Sequence, residues 1–128
     1  MAGEAIVSFW AKQDELASDP RPPLTELATV ARGQALMQWQ RNLTDMRSKG
    51  RKTVGRVTVE TAPGVLDPKT KLYQVSACVD VSKVNVVDKA GKSVVSAERQ
   101  PRTRYTYKVQ QDDGQFFVVE DLLKGEPC

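Results

Sequence analysis

Along the first third of the chain, apolar residues recur every three or four positions, and beyond Gly50 they recur at every second position. Ile6, Phe9, Trp10 and Leu16, with Glu4, Lys12, Asp14 and Glu15 between them, predict an amphipathic helix from Gly3 to about Ala17. Ser18-Asp19-Pro20-Arg21-Pro22-Pro23 ends it, because proline cannot continue a helix and restricts the residue before it. Leu24, Leu27, Ala28 and Ala31 predict a second helix, interrupted at Arg32-Gly33. Leu36, Trp39, Leu43 and Met46 predict a third, and Arg47, Lys49 and Gly50 are its stop.

The strand pattern follows. Val57 and Val59 alternate with Arg56, Thr58 and Glu60, and Ala62-Pro63-Gly64 and Asp67-Pro68 mark a turn-rich connection. Tyr73, Val75, Ala77, Val79 and Val81 alternate with Gln74, Ser76, Cys78 and Asp80. Val84 to Val87 and Ser93 to Val95 flank Asp88-Lys89-Ala90-Gly91-Lys92, which predicts a hairpin. Tyr105, Tyr107 and Val109 alternate with Arg104, Thr106 and Lys108; Gln111-Asp112-Asp113-Gly114 predicts a second hairpin turn, with Phe116 to Val119 as the return strand. Helices first and hairpins afterwards predict an α+β fold, with N-terminal helices (about 3–49) covering one face of an antiparallel sheet (about 51–123) and a tail over 124–128. Without repeat, low-complexity tract or linker, residues 1–128 read as one domain.

Composition narrows the chemistry. The 128 residues include no His and two Cys. That removes the commonest general base, the Ser-His and Cys-His nucleophile pairs, and any His-containing or four-Cys metal site. No catalytic set, metal site or cofactor motif is expected. No apolar run approaches the ~20 residues of a membrane span, and Met1-Ala2-Gly3 has neither the basic segment nor the apolar stretch of a signal peptide. A net charge of +3 is mild for a nucleic-acid binder. The basic positions Arg99, Arg102, Arg104 and Lys108 read first as solvated surface and second as a face for an acidic partner. Cys78 lies in a strand and Cys128 is terminal: either they are bonded, closing a loop of about 50 residues worth about 4 kcal/mol in the chain-entropy model, or they are unrelated reduced thiols.

Helix, Pro-rich break, helix pair and hairpin sheet together resemble the nuclear transport factor two-like (cystatin-like) superfamily. Locally, Leu24-Thr-Glu-Leu-Ala-Thr-Val-Ala-Arg-Gly33, Gly50-Arg-Lys-Thr-Val-Gly55, Cys78-Val-Asp-Val-Ser82, Asp88-Lys-Ala-Gly-Lys-Ser93, Arg104-Tyr-Thr-Tyr-Lys-Val109 and Gly125-Glu-Pro-Cys128 resemble a group of actinobacterial secreted or lipoprotein-type proteins without established activity. The resemblance implies a cone-shaped fold, a Cys78–Cys128 disulfide and an extracytoplasmic location. It also implies a non-catalytic binding or assembly module at the cell envelope, with a protein partner or a second copy of the chain (a homodimer), no nucleic acid, and membrane proximity through a missing leader. The superfamily also holds ketosteroid isomerases and polyketide cyclases, so a small-molecule pocket is the alternative. Trp10, Trp39, Tyr73, Tyr105, Tyr107 and Glu120 are its candidate residues, each with a bland reading as core or surface.

Overall fold

A computed structural model describes residues 2–128; the start of the chain at Met1 lies outside the described residues. Helix α1 spans Ala2–Ser18, a 3-10 turn spans Leu24–Thr29, and α2 spans Gly33–Ser48. The strands are β1 (Lys52–Val54), β2 (Thr58–Thr61), β3 (Val65–Leu66), β4 (Leu72–Asp80), β5 (Asn85–Val87), β6 (Arg102–Asp112) and β7 (Gln115–Pro127). The main sheet runs β2-β4-β6-β7, with β3 paired to β4, and β1 pairs β5 in a separate ribbon. Every paired strand is antiparallel. The helices pack on one face of this open curved sheet, giving the α+β, cone-like arrangement of the nuclear transport factor two type.

Helix α1 lays Ile6, Phe9, Trp10, Gln13 and Leu16 along its buried stripe. Its final carbonyls lack intrahelical donors, and the Arg47 guanidinium of α2 donates to the Leu16 and Asp19 carbonyls at 3.1 Å each. The predicted second helix is instead the 3-10 turn. Leu24 and Leu27 are spaced by three, the 3-10 repeat, and the chain is then drawn out to bridge β7, with the Arg32 N–H donating to the Val118 carbonyl at 2.9 Å.

The inward faces of β4 and β6 carry Val75, Ala77, Val79, Tyr107 and Val109, all buried with Ile6, Phe9 and Leu27 in one core. The Asp113-Gly114 turn between β6 and β7 has both residues at positive φ, 51° and 80°, the geometry of a two-residue hairpin turn. The first predicted hairpin is reduced: β5 pairs β1, and the return side survives as a Val87–Ser93 bridge. The Asp88 carboxylate accepts the Ala90 and Lys92 N–H groups, closing that loop on itself. The expected tail also differs, since β7 continues to Pro127. Cys128 then bonds Cys78 with Cα atoms 6.0 Å apart, fastening the end of β7 across β6 onto the outer face of β4.

Candidate functional site

A cavity of about 510 Å³ opens where α1, α2, β1 and the wide end of the sheet meet. Its walls are mostly apolar, with Trp10, Trp39, Leu43, Met46, Val79 and Leu123 prominent. The indole rings of Trp10 and Trp39 meet edge to face at 5.2 Å, and Tyr105 meets Trp10 at 6.2 Å. Both indole N–H groups are tied down. Trp10 Nε1 donates to the Tyr107 hydroxyl at 2.9 Å, and Trp39 Nε1 donates to Asp121 Oδ2 at 2.9 Å. A buried indole or phenol needs such a partner, and these two bonds set the orientation of the rings in the wall.

Polar groups interrupt the apolar surface. Gln13 is 3% exposed and stands in the wall, and both polar atoms of its carboxamide are buried without a hydrogen-bond partner. The Thr53 hydroxyl, in the same wall, is also buried and unpartnered. Each such group costs about 1–3 kcal/mol against a paired one. Asp14 accepts the Val57 N–H at 3.0 Å, and burial raises its pKa against the opposing effects of that bond and of Arg56. Arg99 Nη2 donates to the Val81 and Val84 carbonyls at 2.8 and 2.7 Å, which seats the guanidinium in the wall. Burial likewise raises the Tyr105 and Tyr107 pKa values, with the nearby Asp121 charge adding to it.

Of the candidate pocket residues, Trp10, Trp39 and Tyr105 line the cavity. Tyr107 lies buried beside it, stacked on Tyr105 at 5.8 Å. Tyr73 sits toward the opposite end of the sheet, 5.8 Å from Phe116. Glu120 turns to the outer face and pairs with Lys108 at 3.2 Å. Its neighbour Asp121 is the inward carboxylate, 4% exposed, and burial lifts its pKa to about 6 in spite of the Trp39 hydrogen bond. The cause is a bulge. Val109 pairs Val118 while Lys108 pairs Glu120, so Val119 is the extra residue and the inward phase passes from Phe116 and Val118 to Asp121 and Leu123.

Of the four candidate basic residues, Arg102, Arg104 and Lys108 share the outer face of β6, and Arg99 stands apart from them. Arg99 turns into the cavity wall. Arg102 pairs with Asp80 at 3.4 Å and Glu60 at 3.6 Å on the outer face, and donates to the Cys128 carbonyl. Lys108 is held by Glu120, and Arg104 is exposed. Sequence reasoning missed Gln13, although a signal was present: it lies three residues from both Trp10 and Leu16, a polar residue on an apolar stripe. Among the described residues no group of three or more His, Cys, Asp or Glu is placed to hold a metal, and no helix is long and apolar enough to cross a membrane.

No family model and no curated protein matches the chain. Among solved structures, the crystal structure of the intermembrane space region of the chloroplast protein ARC6 is similar, with a TM-score of 0.72 and 17% identity over 96% of this chain and 94% of that one. At that identity the likeness is one of fold.

Proposed function

We propose that the chain is a non-catalytic binding module that works outside the cytoplasm, and that the cavity at the open end of its cone is the working part. The observation that carries this reading is the cavity, about 510 Å³ and largely apolar with a few convergent polar groups, the character of small-molecule sites. The placement of the acids supports binding over catalysis. Asp121 is covered by Trp39 and is not in the wall, while Asp14 is engaged by the Val57 N–H. The chain also has no histidine to act as a base. Three observations support the compartment. The Cys78–Cys128 disulfide suits an oxidising environment. The ARC6 region of similar fold is named for an intermembrane space. The local sequence resembles actinobacterial envelope proteins.

A second reading places a protein partner on the same mouth. Leu123, on the cavity's rim, is 62% exposed, and a second copy of the chain is the partner to test first. Titration with the neutral fluorescent probe N-phenyl-1-naphthylamine separates the two. The pocket reading expects saturable one-to-one binding that is lost in Leu43→Trp, which fills the cavity. A folded wild-type chain showing no saturable binding refutes it. The partner reading expects concentration-dependent sedimentation that Leu123→Asp abolishes.

A further inference from the structure

We infer that the cavity takes an amphipathic acid, an apolar chain with one anionic head, and that Arg99 holds the head. The inference rests on the binding reading above and names its ligand class. A guanidinium stays charged at any working pH and presents a planar fork of donors matched to a carboxylate. In Arg99 one terminal nitrogen is spent on the Val81 and Val84 carbonyls. These two bonds fix the group against the wall, and among the described residues no carboxylate forms an ion pair with it. Among the described residues its remaining N–H groups have no protein acceptor.

The other unmet groups in the wall are compatible with the same head. The Gln13 amide and the Thr53 hydroxyl both lack partners, and both can donate to an anionic oxygen. The one acid in the wall, Asp14, already accepts the Val57 N–H and has Arg56 as its neighbouring charge, so its charge is answered away from Arg99. Trp10, Trp39, Leu43 and Met46 supply the apolar surface for the chain. A free fatty acid and the acyl chain of an anionic phospholipid share this chemistry.

Trp10 and Trp39 are the only tryptophans in the sequence, and both line the cavity, so their emission reports its occupancy. We would titrate the wild-type chain with dodecanoate, dodecanol and dodecylammonium, each below its micellar concentration. Dodecanoate is expected to bind at least tenfold tighter than dodecanol, and dodecylammonium weakest. Arg99→Gln is expected to erase the preference for dodecanoate, read as the ratio of dodecanoate to dodecanol affinity within the variant; the wild-type comparison of heads needs no variant to fold. Equal affinity for the three heads overturns the role of Arg99 and leaves the binding reading standing. A folded chain that binds none of them overturns both. Sedimentation with phosphatidylglycerol and phosphatidylcholine vesicles distinguishes the sources: capture by the anionic vesicles with no response to monomeric dodecanoate overturns the soluble acid in favour of a membrane headgroup.

Discussion

Replacing Asp121 with Asn isolates the cost of holding a carboxylate beneath the cavity wall. Asp121 is 4% exposed, and its pKa rises from 3.8 to about 6 because burial penalises the charged form. A raised folded-state pKa means that the folded chain binds the proton more tightly than the unfolded chain. The corresponding stability is therefore complete below pH 3.8 and is lost as the pH rises through about 6. A shift of about two units at 1.36 kcal/mol each puts the loss at about 3 kcal/mol between acid and neutral pH. Asn keeps an oxygen to accept the Trp39 indole N–H but cannot ionise. Other carboxylates bend the wild-type curve the opposite way. The pKa values of Asp19, Asp80 and Glu98 are lowered, first by side-chain hydrogen bonds from Arg21, Ser82 and Ser96. Their stabilisation is present at neutral pH and fades on acidification, and both proteins share it. The quantity to measure is thus the difference between Asp121→Asn and wild type, by urea unfolding with the disulfide intact, from pH 3.5 to 8. The variant should gain on the wild type by about 3 kcal/mol across the range, the change running between pH 3.8 and about 6 with its midpoint near pH ~5. Parallel curves, differing by a constant within about 0.5 kcal/mol, would refute the assignment of Asp121 as a buried titrating group.

Two further perturbations test the frame around the cavity. Reducing the Cys78–Cys128 bond should lower stability by about 4 kcal/mol on the chain-entropy model, and should speed amide exchange at Leu123, Lys124 and Gly125, which the bond holds against β6; an unchanged urea midpoint contradicts this. Gly55→Ala should destabilise by about 1–3 kcal/mol or more, because Gly55 has φ 90° and an added Cβ would lie 1.9 Å from the Lys83 carbonyl oxygen. A thermal melt matching wild type would show that this approach of the β1–β2 connection to the Lys83 carbonyl is not needed.

Much of the cavity's construction is visible in the pattern of residues. The tyrosines of β6 fall on the apolar phase, and three of the five candidate aromatic residues, Trp10, Trp39 and Tyr105, stand in its wall. The choice between Glu120 and Asp121 was not visible. Uniform alternation from Phe116 and Val118 turns Glu120 inward, and one unpaired residue, Val119, reverses that. Arg99 reads as surface charge because its neighbours in sequence are polar; its two carbonyl acceptors lie 15 and 18 positions upstream. The pairing of β5 with β1, beside the Val87–Ser93 bridge to its own hairpin partner, has the same origin, since β1 lies far upstream in the chain.

The periods of 3.6 and 2, the proline break and the Asp113-Gly114 turn act over a few residues, so helix, strand and the α+β order can be read from the chain alone. The bulge at Val119, the carbonyls that seat Arg99, and the unpaired Gln13 in the wall depend on which distant segments become neighbours. Those neighbours arise when the sheet curves and the helices close over it, because only then do buried polar groups compete for the few partners within reach.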